Sequence, residues 1–399
     1  MVASPLMAVL LLGAAAADPV PATPDWARPA PTPVVAPAGT TGPAAAGSPA
    51  SGQRKATAPV IQDSLFSVVW RKPLVEPWLL EYKPTEPASP AIDPVTRMVV
   101  VATRDGVVQA FSVDGQPLWH HVGRGPYVAG PYVADDLVFA AGIDGKIFAL
   151  DRASGEVRWT YQIREEIGTQ ALVVDDLVYF ATLEGTVLAL EARTGRFAWN
   201  FRREPTGKFT ILGAGRPTVV DGVLYKGFAD GSVVAFDAKT GSVKWDRKVG
   251  RGDYPDIDAS VLVSKNRAYV ASYGGPVMAL DRADGGMVWE SKVPFAYKAS
   301  LDGDLLVVVS TTEVVGLDVK DGRRIWETPL EGTPYGDPVI VKGIVLVPNG
   351  KGLLVLDRRN GKKLRLFTRG SGAMASPAVL GKRVYVLSNQ GELVAVDLR

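Results

Sequence analysis

The chain has 399 residues, 47% of them hydrophobic, with 44 basic against 42 acidic side chains, two histidines and no cysteine. Lack of cysteine excludes disulfides, Cys-ligated zinc and thiol chemistry together. A net charge of +2 with interspersed signs offers no basic face for nucleic acid.

In chain order, the first feature is an apolar run from Leu6 to Ala17, ending in Ala15-Ala16-Ala17 before Asp18. Twelve residues are too few to span a bilayer, so residues 1–17 read as a secretory signal and the protein as exported. Residues 18–64 form a linker: the stretch 18–60 carries 10 of the 30 prolines and 11 alanines and no apolar periodicity. Such composition predicts an extended, unpacked segment. A strand is then expected in LFSVVWRKPL, from Leu65 to Leu74, with Trp70 inside it.

From there one phrase recurs about every forty residues. Its clearest copies are DGKIFALDRASGEVRW from Asp144, EGTVLALEARTGRFAW from Glu184 and DGSVVAFDAKTGSVKW from Asp230. Each copy has an aliphatic residue, then a small one (Ala110, Ala149, Ala189, Ala235, Ala279, Gly316, Ala395, with Val355 the exception), then a large apolar one. Apolar alternation on both faces describes a strand buried on both sides, and the small column suggests close approach of another sheet. An acid follows, then a turn closed by glycine, which accepts φ > 0. The next strand ends at Trp119, Trp159, Trp199, Trp245, Trp289 or Trp326, with Arg365 in the degenerate copy. Two further strands precede each phrase, so the unit is a four-stranded antiparallel meander, a propeller blade.

Measured at the post-phrase acid, with Ser112 in the first copy, the intervals are 39, 40, 46, 44, 37, 39 and 40 residues. These give eight third strands but seven outer strands after them. The strand around Trp70 supplies the eighth by pairing with the C-terminal strand. The expected fold is therefore all-β, an eight-bladed propeller over residues 65–399, with seven blades as the fallback, closed without an open edge.

The unit Gly-x-Val-x-Ala-Leu-Asp-x-x-Thr-Gly-x-x-x-Trp resembles the pyrroloquinoline-quinone (PQQ) type repeat over roughly Leu65 to Arg399. Two groups share it: quinoprotein dehydrogenases and the BamB group, accessory subunits of the machinery that assembles outer-membrane β-barrels. The dehydrogenase resemblance implies PQQ, calcium and often a disulfide of adjacent cysteines, which this chain lacks. His120 and His121 adjoin on one strand and so point to opposite faces. No catalytic motif is present, and no cofactor or metal is expected.

The BamB resemblance implies a non-catalytic periplasmic scaffold, and the long intervals of 46 and 44 residues mark longer connections flanking the fourth blade, Asn200–Pro217 and Gly250–Val261. In BamB-like proteins such loops dock on the soluble domains of the barrel-assembly protein BamA through an apolar pair, an Arg and a D-x-D pair. By position, Phe209 and Ile211 match the apolar pair, Leu212 replaces the Arg, and Asp256 and Asp258 match the D-x-D. The expectation is a contiguous exposed rim patch, from which both aspartates could be removed with little loss of stability. The chain is expected to be a monomer with a BamA-like protein partner, no nucleic acid and no membrane span, associated with the outer membrane through its partner because no lipobox cysteine follows the signal. The alternatives are a PQQ-dependent dehydrogenase and a cell-surface binding propeller.

Overall fold

The computed structural model describes residues 65–76, 84–204, 215–368 and 372–399. Their 32 strands form eight four-stranded antiparallel sheets. Seven are consecutive meanders: blade one over residues 91–122, two over 132–162, three over 172–202, four over 218–248, five over 262–291, six over 296–329 and seven over 339–367. Blade eight takes its three inner strands from residues 378–398 and its outer strand from Phe66–Pro73.

That last pairing closes the ring as the interval count predicts. Phe66 lies opposite Leu398, Trp70 opposite Ala395 and Pro73 opposite Glu392. Eight buried clusters follow one another around the molecule, each formed by two neighbouring blades. Leu137 and Phe139 of blade two, for example, pack with Val178 and Phe180 of blade three. Val99 and Phe111 of blade one pack with Tyr385 and Leu393 of blade eight. Hydrophobic burial is thus spread over eight similar interfaces, with no single centre.

The tryptophan column explains the phrase. From Trp70 to Trp326, each indole N–H donates, over 2.8–3.1 Å, to the carbonyl of the residue after the acid position in the next blade. The glycine closing that turn lies against the ring: a Cβ on Gly195 would sit 2.7 Å from Trp159, and one on Gly241 2.6 Å from Trp199. Both glycines also have φ near +70°, so side-chain space and backbone conformation select the same residue.

The small column has a different cause from the one its spacing suggests. Ala149 pairs directly with Trp159, Ala189 with Trp199 and Ala235 with Trp245. The small side chain leaves room for the tryptophan of its own blade, and a Cβ on Gly316 would come within 2.4 Å of the Trp326 ring. Val355, the exception, pairs with Arg365, the exception in the tryptophan column.

The meander puts alternate hairpins on opposite faces of the ring. The turns between first and second strands and between third and fourth strands share one face. Connections between blades share the other with the hairpins joining second and third strands, as shown by Tyr273 N–H donating to Asp256 and Leu183 N–H to Glu166. Both long connections, after Arg202 and after Lys248, therefore emerge on the same face.

Candidate functional site

The connections after Arg202 and after Lys248 flank blade four, and the burial of the second one's aspartates corrects the expectation that they are exposed. Phe209, Ile211 and Leu212 lie outside the described residues. Asp256 and Asp258, expected on an exposed rim, are instead 0% and 4% exposed. The exposed part of their connection is Arg251–Tyr254. Arg251, in the Arg-Gly-Asp turn, pairs with Glu290 at 3.0 Å.

Asp256 and Asp258 turn inward because Ile257 between them anchors the segment. Ile257 is buried among Tyr225, Val233 and Trp245, and its N–H donates to Phe228. A Cβ on Gly227 would meet the Ile257 side chain at 2.2 Å, so only glycine permits this approach. The Asp256 carbonyl accepts from Tyr273 N–H at 2.9 Å, and Ser272 Oγ donates to the Pro255 carbonyl at 3.1 Å.

Beneath the segment lies a residue that sequence reasoning missed. Lys226, on the second strand of blade four, is 3% exposed. Its ammonium donates to the Gly227 carbonyl and stands 5.0 Å from the Phe228 ring centroid. Burial pushes its pKa down to about 8, against the pull of the Asp258 charge. Burial also raises Asp258 to about 7, helped by the Asp256 charge and opposed by Lys298 and Lys226. Asp258 is thus a buried carboxylate whose charge acts on a buried lysine beneath the segment. A signal was present in the sequence: equivalent positions in other blades hold Ala140, Phe180, Val270, Val347 and Val386. Lys226 is the charged member of an apolar column.

Around the axis, on the same face, each blade contributes the residue two positions before its innermost strand, a glycine, Gly130, in blade two. In blade six the strand starts earlier and Lys298 holds that position. Several of these groups are laced together across blades. Ser376 N–H donates to Ser89 Oγ at 2.9 Å between blades eight and one. Gln170 Nε2 donates to the Pro131 carbonyl at 2.6 Å, and Arg216 donates from its guanidinium to Gln170 Oε1 at 2.6 Å and from its backbone to Ser260 Oγ at 3.1 Å. The Arg216 guanidinium also lies over Tyr132, 5.6 Å from the ring centroid, and burial lowers its pKa.

These residues line an axial cavity of about 1010 Å³. Its charged lining is Arg216 and Lys298 against Asp258 and Asp337. PQQ carries several carboxylates, and a cavity with as many carboxylates as cations is a poor match for it. Among the described residues, no group of three or more His, Asp or Glu is placed to hold a metal ion. His120 and His121 stand apart from the cavity: His120 is exposed, while the His121 ring packs on Phe148 at 4.9 Å. Among the described residues, no helix is long and apolar enough to cross a membrane.

Exposed aromatic groups flank the Arg251–Tyr254 turn. Tyr254 is 45% exposed, and Phe295, on the connection between blades five and six, is 48% exposed. Phe295 adopts φ 57°, an unusual conformation for a bulky side chain. Its ring packs against Tyr273 at 5.4 Å.

Comparison with known proteins agrees with this architecture. The family profile described as "Outer membrane protein assembly factor BamB" matches residues 104–327 and 254–399. A BamB of Shewanella oneidensis is 24% identical over 347 residues, covering 83% of this chain and 77% of that protein. A BamB of Legionella pneumophila is 29% identical over 141 residues, covering 35% of this chain and 37% of the relative. Among solved structures, BamB from Moraxella catarrhalis aligns with a TM-score of 0.73 at 22% identity, covering 84% of this chain and all of that one. Quinohemoprotein alcohol dehydrogenase from Comamonas testosteroni shares the fold at a TM-score of 0.67 and 14% identity, covering 84% and 76% of the two chains. By its repeats, its ring of eight blades and the profile match over most of its length, the chain belongs to the family of outer membrane protein assembly factor BamB.

Proposed function

We propose that this propeller is a non-catalytic, exported scaffold in the assembly of outer-membrane β-barrels, docking a BamA-like protein in the periplasm. The observation that carries the reading is that two long connections, after Arg202 and after Lys248, emerge on one face beside blade four, within a chain of the BamB family. The docking elements are the segment containing Phe209, Ile211 and Leu212 and the Arg251–Tyr254 turn. Asp256 and Asp258 serve by fixing that turn from beneath. Tyr254 and Phe295 supply apolar area that a partner would desolvate, with Arg251 and Glu290 at its border. Residues 1–17 would direct export, and residues 18–64 would tether the ring.

The test is binding of the full chain to the soluble domains of a BamA-like protein by calorimetry. Tyr254→Ser combined with Phe295→Asn, which tolerates the left-handed backbone, should weaken binding by about tenfold or more. Arg193→Ser on the opposite face should leave it unchanged. Equal effects from both faces, or dye-linked alcohol oxidation after incubation with PQQ and calcium, would overturn the reading.

A further inference from the structure

The interblade hydrogen bonds at the axis run from blade eight to one, from two through five, and from Tyr297 Oη–H of blade six to the Pro334 carbonyl on the connection to blade seven. Lys298 and Asp337 stand there, side by side in blade order and both partly accessible. No ion pair joins them, and no described hydrogen bond engages either side chain. Asp337 Oδ1 is buried without a hydrogen-bond partner. So is Oδ1 of Asp258, which lines the cavity from blade five and whose residue is 4% exposed.

A buried carboxylate oxygen without a donor costs free energy unless a donor reaches it. Lys298 and Lys226 pull on Asp258 electrostatically, but no described hydrogen bond joins either ammonium to its Oδ1. Arg216 is committed to Gln170 and to the Tyr132 face, and the Lys298 ammonium keeps three donor positions. The cavity therefore holds acceptors lacking donors and a cation lacking acceptors, on neighbouring blades. A simple anion would suit Lys298 and leave both carboxylates repelled. A simple cation would do the reverse. A molecule carrying one of each charge satisfies both.

We infer that the axial cavity binds a small zwitterion, its carboxylate at Lys298 and its ammonium at Asp337 and Asp258. Leu262 and Leu301 of blades five and six also line it and provide apolar surface for the remainder of such a ligand. A volume of about 1010 Å³ lies at the upper end for small-ligand sites and admits a short peptide as well as a free amino acid. Both present the same two charges. This site lies at the axis, inward of the exposed docking elements on the same face, and does not depend on the assembly role.

Titration calorimetry of the full chain with trialanine, L-leucine and N-acetyl-trialanine amide decides the matter. Trialanine should bind, and blocking its two charges should weaken binding by about tenfold or more. Lys298→Met and Asp337→Asn should each do the same to trialanine while leaving the melting temperature nearly unchanged. Leucine binding as tightly as trialanine would identify free amino acids as the source; weaker leucine binding would identify peptides. The inference is overturned if none of the three binds, if the blocked peptide binds as well as the free one, or if both variants bind normally. Should either variant fold poorly, the comparison of free with blocked peptide on the unaltered chain still decides.

Discussion

At the scale of single residues, burial reassigns the roles of charges. Removing Asp256 and Asp258 would leave the buried Lys226 without the Asp258 charge that acts on it. Stranding one partner of such a set costs about 3–5 kcal/mol, and the Asp256→Ala, Asp258→Ala double variant should lose stability on that scale in urea at pH 7. A loss below about 0.5 kcal/mol, the norm for surface changes, would show that the cluster is not coupled. The pH dependence has a definite sign. Asp258 titrates near 7 in the fold against 3.8 ordinarily, so the folded chain binds more protons than the unfolded chain between those values. Its contribution is present below about pH 4 and lost as the pH rises to 7. Lys226, lowered from 10.5 to about 8, contributes the opposite slope, stability recovering from pH 8 upward. Asp258→Asn should flatten the acid limb and, by removing the charge that pulls the Lys226 pKa up, start the alkaline limb at lower pH, as read by melting temperature against pH. The tryptophan column makes a second residue-scale case. Trp199 is buried, bonded to Ala238 and seated on Gly241, so Trp199→Ala should cost about 3–5 kcal/mol. Arg365→Ala should cost far less, and equal costs would refute the packing role.

At the scale of elements, the strand Phe66–Pro73 acts as a clasp. It pairs with the C-terminal strand along its whole length, and Phe66 reaches into blade seven, its ring 5.3 Å from Phe367. A chain starting at Ile61 should melt like the full chain. One starting at Glu76 should expose the apolar edge of Glu392–Leu398 and aggregate. Identical melting of two monomeric truncations would disprove closure by this strand. Such elements were legible in the sequence because the phrase repeats: alternation, acid, glycine and tryptophan recur in register, and the missing outer strand follows by counting. The orientation of the D-x-D was not legible in the same way. It depends on Ile257 fitting over Gly227 and on Lys226 lying beneath, contacts about thirty residues apart that no local pattern encodes. The axial cavity is likewise assembled from single side chains of successive blades, so its charges adjoin only after the ring closes.

At the scale of the whole molecule, the ring has seven seams of one kind and one of another. Seven tryptophans each seat on the hairpin between third and outer strands of the next blade. Blade eight has no such hairpin, because its outer strand comes from the other end of the described chain. Arg365 faces that seam, where Phe66 and Leu398 extend the pairing past the point at which other blades turn. The loss of tryptophan at position 365 is then a consequence of connectivity, which rearranging the chain should reverse. In a circular permutant running from 84 to 399, then Thr-Gly, then 67 to 76, blade eight gains a hairpin of the common length with glycine in the common place. Val355→Ala with Arg365→Trp should stabilise this permutant, by about 1 kcal/mol or more from the added aromatic burial. In the original connectivity the same pair of changes leaves the indole without a turn carbonyl or a glycine, and crowds Phe66. It should destabilise there, by about 1–3 kcal/mol as overpacking does. Urea denaturation of the four proteins gives the comparison, and the opposite signs carry the argument. The same sign in both connectivities would mean that Arg365 is set by something other than the missing hairpin.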